Sequence, residues 1–185
     1  KIVPFMVIFY ISSSLYIVLQ KFSEIPMYIN MILSEAFSLS SIEGGLMGSV
    51  IVIGLKRAAF SNEAGIGTEA MAHGAAKTNE PIREGLVAMI GPFIDTIIIC
   101  TLTALMIIST GVYNNTDSNG IVLVSDAFSK GFPYFGELVL LIIIFSFSIT
   151  TIISYSYYGA KCASFLFGNK WKRMYRKLYI ISIKY

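Results

Sequence analysis

The amino-acid sequence predicts an all-α polytopic membrane protein, and three observations support this fold class. The 185 residues are 55% hydrophobic and 14% charged, with a mean hydropathy of +0.71, whereas soluble domains carry about 25% charged residues. The apolar residues are gathered in runs close to the roughly 20 residues that an α-helix needs to cross a bilayer. A polar, glycine-containing stretch at residues 57–73 directly follows one of these runs.

Four segments are predicted to span the bilayer, and we treat residues 1–185 as a single, incomplete transmembrane domain. The spans are predicted at about residues 2–19, 44–76 (broken), 86–109 and 136–160. In residues 20–43 apolar residues recur with helical spacing, which predicts a short amphipathic helix that lies at the membrane interface or packs over the bundle. Residues 111–135 begin with the turn cluster GVYNNTDSNG, which predicts a partly ordered loop.

The distribution of basic residues predicts the orientation. Lysine and arginine are concentrated in residues 77–84 and 161–177, whereas residues 111–135 contain only Lys130. Two predicted spans separate the basic segments, so both lie on one side, and basic loops stay in the cytoplasm. We therefore expect a multi-pass plasma-membrane protein with both segments cytoplasmic. The net charge is only +3 and no basic patch is interleaved with aromatic residues, so no nucleic acid is expected as a partner.

The chain is expected to be part of a longer protein. Lys1 runs directly into about 18 uncharged residues without the cleavage site of a signal peptide. We interpret this segment as a spanning helix whose preceding residues are missing. The last apolar run stops at Tyr185, which indicates that further residues follow.

The sequence contains no recognisable catalytic or metal-binding pattern. Cys100 and Cys162 lie in or beside apolar runs and are interpreted as packing residues. His73, Glu63 and Glu69 have neither the spacing of a zinc site nor a nucleophile on a defined turn. We therefore predict that the protein is not an enzyme and has no cofactor.

The second predicted span is too long for one straight helix. Gly44 to Ala76 is 33 residues, about 50 Å as an α-helix against a hydrocarbon core of about 30 Å. Residues 60–67, FSNEAGIG, are predicted to break it, because Gly65 and Gly67 each disfavour a helix by about 1 kcal/mol relative to alanine. Irregular backbone at membrane depth is tolerated only inside protein or beside water, so we expect a polar cavity. A packing kink facing a cytoplasmic vestibule is the alternative.

Other polar residues at membrane depth are candidates for a transport pathway. Asp95 lies near the middle of the third span, where an ionisable group is expensive and usually functional or paired. Its alternative role is to pair with Lys56, Arg57 or the broken backbone. Thr150 and Thr151 in the fourth span could supply oxygen ligands to a small cation, although such hydroxyls often bond their own helix.

These motifs together resemble the alanine or glycine:cation symporter family, the sodium-coupled amino-acid carriers of bacteria and archaea. The resemblance covers most of the chain and is carried by VPFMVIFY near the start, FSNEAGIG at 60–67, FIDTIIICTLTAL at 93–105 and YYGAKC at 157–162. It implies a leucine-transporter-like fold of two inverted five-helix repeats. This chain would hold about helices five to eight and the start of nine, with the sixth helix discontinuous.

The resemblance also implies a function and a set of site residues. The function is sodium-coupled symport of a small neutral amino acid, alanine or glycine, by the full-length protein in the lipid bilayer. The substrate-binding candidates are Phe60, Ser61, Asn62, Gly65 and Tyr155; the sodium-binding candidates are Phe147 through its carbonyl, Thr150 and Thr151; and the candidates for the pathway or its support are Glu63, Asp95 and Arg57. Tyr155 replaces a tryptophan of the family pattern, and at a helix end it would alternatively belong to an interfacial aromatic belt.

Two other functions fit the same residues. A cation channel or polar-pore subunit would use Asp95 and the hydroxyl groups of the fourth span. A truncated gene would give a product without function. Because the missing helices one to four would hold the other half of the site, we expect the 185-residue chain alone not to transport.

Overall fold

The structure is a computed structural model that describes residues 2–36, 63, 65–114 and 120–183. Every regular element in these ranges is helical. The α-helices are α1 (Ile2–Leu19), α2 (Ile25–Ala36), α3 (Thr68–His73), α4 (Pro81–Phe93), α5 (Thr101–Thr110), α6 (Ile121–Gly131), α7 (Gly136–Phe167) and α8 (Asn169–Ile183). A π-helical segment, Ile94–Cys100, joins α4 to α5 without a break. The first half of the predicted second span lies outside the described residues.

Two helices in the described part are long and apolar enough to cross a membrane, Pro81–Thr110 and Gly136–Phe167. Val3–Leu19 and Phe22–Ser34 meet the same criterion only as a pair, which is bent by 82°. The described part is therefore an all-helical membrane protein with two to three candidate spans. The bend turns α2 almost perpendicular to α1, and α2 packs against α5.

Residues 121–131 differ from the sequence prediction, because they form α6 rather than a partly ordered loop. Ala127 and Phe128 on α6 are fully buried. The ring of Phe128 lies 6.3 Å from the ring of Tyr10 on α1, measured between centroids. The turn residues before Gly120 had suggested a longer irregular segment, but packing of the apolar face of α6 against its neighbours makes this part helical.

The helices pack around a core between α1, α5, α6 and α7. The buried residues of this core include Tyr10, Ile17, Val18, Leu105, Met106, Ala127, Phe128, Leu140 and Ile143. Lipid tails are as apolar as these side chains, so close packing and hydrogen bonds, rather than exclusion of water, hold such helices together. One of these hydrogen bonds joins the Tyr10 hydroxyl to Thr103 Oγ1 at 2.5 Å and fastens α1 to α5.

Helix α7 continues past the predicted end of the fourth span, and α8 then folds back along it. Gly168 has a φ of +88°, a backbone conformation that favours glycine, and it separates the two helices. The rings of Phe167 and Trp171 lie 5.2 Å apart, and the Tyr179 hydroxyl donates a hydrogen bond of 3.0 Å to the Ile152 carbonyl. Helices α7 and α8 therefore form an antiparallel hairpin.

The length of α7 determines where Tyr155 lies along the helix. Tyr155 lies inside α7, which ends only at Phe167. Its ring contacts Tyr158 in an edge-on arrangement with 5.9 Å between ring centroids. The apolar run predicts an end near residue 160, but the helix continues to Phe167, and the Tyr175 side chain of α8 lies directly against Gly159.

Candidate functional site

A cavity of about 710 Å³, the central cavity, lies between α1, the continuous α4–α5 helix and α7. Its walls are mostly aliphatic residues of α1 and of the π segment, including Val7, Ile11 and Ile98. Three carboxylate residues, Glu63, Glu69 and Asp95, also line it, together with Phe147 of α7. The structure thus brings together three of the residues predicted from sequence, namely Glu63, Asp95 and Phe147.

The π segment determines where Asp95 lies. Pro92 has no backbone N–H and disturbs the hydrogen-bond ladder of α4. The helix then widens into the π conformation from Ile94 to Cys100, with Asp95 in its first turn. Single-turn π segments inside α-helices are frequent at functional sites. Asp95 lies halfway along the span Pro81–Thr110, is half-buried and lines the central cavity.

Glu63 begins the turn that leads into α3. Its φ of +61° is uncommon for a residue with a side chain and is maintained only where surrounding contacts hold it. Its carbonyl accepts a hydrogen bond of 3.1 Å from the Gly67 N–H. Thr68 Oγ1 donates to Glu63 Oε2 at 2.9 Å. The carboxylate is therefore held against the first residue of α3.

Glu69 was not among the predicted site residues, although it lines the central cavity. A Cβ atom on Gly91 of α4 would lie 3.6 Å from Glu69 Oε1, which shows how closely this carboxylate approaches α4. Glu69 also lines a second cavity of about 500 Å³, the corner cavity, together with His73, Thr78 and Glu84. The sequence feature that could have drawn attention to Glu69 is its position four residues before His73, because residues at this spacing share one face of a helix.

The α7 candidates do not all face the central cavity. Thr150 Oγ1 donates to the carbonyls of Phe147, at 2.8 Å, and Ser146, at 3.2 Å, within its own helix. Thr151 is exposed, and Tyr155 is 39% exposed. Among the described residues, these hydroxyl-bearing side chains are not part of the cavity lining, whereas Phe147 is.

The remaining candidates lie in or beside the broken segment. Gly65 is exposed in the turn before α3 and is not part of the described lining. Phe60, Ser61, Asn62 and Arg57 lie outside the described residues. In the described part, no group of three or more histidine, cysteine or acidic side chains is arranged to hold a metal ion.

Comparison with known proteins identifies the family. A sequence model described as the sodium:alanine symporter family matches residues 1–185. The sodium/alanine symporter AgcS of Methanococcus maripaludis is 40% identical over 97% of this chain and 40% of its own length. An uncharacterized transporter of Haemophilus influenzae is 37% identical over 98% of this chain and 41% of its own length.

A third relative, the sodium/proton-dependent alanine carrier protein of Bacillus sp. strain PS3, is 32% identical over 84% of this chain and 38% of its own length. The chain thus spans about two fifths of the length of these curated relatives. The family match covers every residue of the sequence, and the similarity to AgcS extends over nearly all of it. The chain belongs to the sodium:alanine symporter family.

Proposed function

We propose that the complete protein imports a small neutral amino acid, alanine or glycine, together with sodium across the plasma membrane, and that this chain supplies part of the pathway. The observation that carries the proposal is the central cavity, where Glu63, Asp95 and Phe147 meet between helices of membrane-spanning length. The family and the names of its relatives support sodium as the coupling ion and alanine as a substrate.

The chemistry of the central cavity suits a small zwitterion accompanied by a cation. Aliphatic walls from α1 and the π segment leave room for a methyl group but offer no partner to a larger polar side chain. Carboxylates in a site of low dielectric attract positive charge far more strongly than in water. Asp95 and Glu63 would therefore attract the amino group of the substrate or the sodium ion. A purely apolar ligand would receive no such electrostatic stabilisation.

The sodium ligands are proposed on α7. Thr150 Oγ1 and the Phe147 carbonyl oxygen are 2.8 Å apart, so two of the proposed oxygens already lie side by side. The exposed Thr151 hydroxyl belongs to the next residue along the helix. Oxygen ligands of this kind suit small hard cations. The remaining ligands would come from the part of the carrier that this chain does not contain.

The proposed orientation places residues 77–84 and 161–177 in the cytoplasm. Met71 Sδ on α3 lies 3.8 Å from Cys162 Sγ on α7, so the corner after α3 and the basic end of α7 lie at the same end of the molecule. This arrangement supports the assignment of both basic segments to one side. The other end carries Lys130, whose Nζ donates to the Thr110 carbonyl at 3.2 Å.

Uptake by the complete carrier in proteoliposomes tests the proposed function. An inward sodium gradient should drive saturable alanine uptake, and Asp95→Asn should lower it by about tenfold or more, because an ionisable group at this depth is retained for function. Glu80→Gln, which removes the same charge from an exposed loop, is the matched control. Sodium flux without saturable amino-acid uptake would show a pore, and would overturn the proposal.

A further inference from the structure

The end of the α7–α8 hairpin carries a concentration of positive charge that the transport pathway does not use. The basic residues are Lys161, Lys170, Lys172, Arg173, Arg176 and Lys177, hereafter the basic belt. After Glu137 the sequence contains no acidic residue. Within the part of the chain that the structure describes, none of the belt residues forms an ion pair. The belt is therefore free to attract an anion.

The hairpin places Lys161 of α7 and the belt residues of α8 at the same height along the helix axes. Tyr175 of α8 lies directly against Gly159 of α7, and Trp171 lies against Phe167. Residues 170–177 therefore run alongside residues 159–167, which include Lys161. Lys161 Nζ is 5.5 Å from the centre of the Tyr157 ring, on the outside of α7.

An apolar pocket of about 480 Å³ opens beside the belt. It is lined by Met71 of α3 and by Cys162, Phe165, Leu166 and Lys161 of α7. Lys161 and Phe165, like Cys162 and Leu166, are four residues apart, so the lining forms one continuous face of the helix. Phe165 is 89% exposed and Leu166 is 69% exposed, so contact with an apolar group such as an acyl chain would stabilise this face.

We propose that the pocket and the basic belt together bind an anionic glycerophospholipid of the surrounding bilayer, phosphatidylglycerol in type. The phosphate would lie against Lys161 and the belt residues of α8, and an acyl chain would fill the pocket. A zwitterionic phospholipid has the same chains but no net charge, so the belt discriminates against it. Basic residues next to a membrane helix each contribute roughly fivefold to the binding of anionic lipid surfaces. A free phosphate ion has no acyl chain and would leave the apolar pocket unfilled.

Lipid retention by the complete carrier tests the charge requirement. Purified carrier is equilibrated in micelles containing equal amounts of phosphatidylglycerol and phosphatidylcholine, and retained lipid is counted by native mass spectrometry. The wild type should retain phosphatidylglycerol in preference. The double variant Lys161→Gln, Arg173→Gln should lower that preference by about 25-fold. The control, Lys77→Gln with Arg83→Gln, removes two charges from the α3–α4 corner and should leave it unchanged.

A second variant tests the pocket separately. Cys162→Phe fills the pocket without altering any charge, and it should lower retention of phosphatidylglycerol while size-exclusion elution stays unchanged. Retention that is equal for both lipids in the wild type would overturn the proposal. Retention that survives either the belt variant or the pocket variant would overturn it too, as would an equal effect of the control variant. None of these results depends on amino-acid uptake.

Discussion

His73 Nδ1 lies 2.7 Å from Glu84 Oε1, and this contact fastens α3 to the first turns of α4. His73 Nε2 faces Glu69 Oε1 on its own helix at 3.8 Å. His73 is the single histidine of the sequence, and its two ring nitrogens thus face carboxylates from two helices. Because Glu69 lines both the central cavity and the corner cavity, this group of side chains forms part of the wall between them.

Glu84→Ala is expected to loosen the corner without unfolding the carrier. The His73 and Glu84 side chains are 31% and 24% exposed, and partly exposed pairs contribute only about 1 kcal/mol or less. Amide exchange at residues 68–76 should therefore rise severalfold, while the melting temperature changes little. Glu80→Ala, at the exposed residue just before α4, serves as the control. Unchanged exchange in Glu84→Ala would show that the contact does not hold the corner.

Gly136→Ala is expected to be one of the most damaging glycine substitutions in the described chain. A Cβ atom on Gly136 would lie inside the contact distance of the Phe128 carbonyl, which is backbone and cannot move aside easily. Overpacking of this kind costs about 1–3 kcal/mol or more. The measurement is the thermal stability of the carrier in detergent, followed by size-exclusion chromatography.

Gly85→Ala is the matched comparison for that substitution. A Cβ atom on Gly85 would meet no atom within 4 Å, and the residue lies inside α4. Replacing a helical glycine by alanine gains about 0.5–1 kcal/mol, so this variant should be slightly more stable than the wild type. If both alanine variants lost the same stability, the close contact at the start of α7 would not be the cause.

Ser14→Ala is expected to preserve or slightly raise stability. Ser14 is completely buried in α1, and its hydroxyl has no hydrogen-bond partner among the described residues. An unsatisfied buried hydroxyl costs about 1–3 kcal/mol, so its removal should raise the melting temperature by up to a few degrees. The neighbouring Ser13 donates to the Phe9 carbonyl at 2.8 Å, so Ser13→Ala should give no such gain. A clear loss of stability in Ser14→Ala would reveal a partner outside the described part.

Thr151→Ala is expected to raise the sodium concentration needed for half-maximal uptake more than the corresponding alanine concentration. The hydroxyl would be lost from the proposed sodium ligands, whereas the central cavity would keep its described lining. Thr151→Ser, which keeps the hydroxyl, should restore sodium activation. Ser148→Ala removes an exposed hydroxyl from the same helix and is the control. Unchanged sodium activation in Thr151→Ala would contradict the assignment of this residue.

The helical character of the protein and its family were readable from the sequence alone. Apolar runs and their spacing reflect the local preference of a segment for helix. The first helix accordingly covers the predicted residues 2–19. The motif at 60–67 and the segment at 93–105 identified the family that the comparisons confirm. Asp95 stood out because a charged residue within an apolar run is rare whatever surrounds it.

The tertiary structure decided which polar residues share a cavity. Glu69 reaches the central cavity because the chain turns at Glu63 and lays α3 beside Gly91 of α4, a contact that spacing along one helix cannot reveal. Likewise, α6 is helical because it buries Ala127 and Phe128 against distant neighbours. Periodicity fixes the face of a helix, but only packing between helices determines what that face meets.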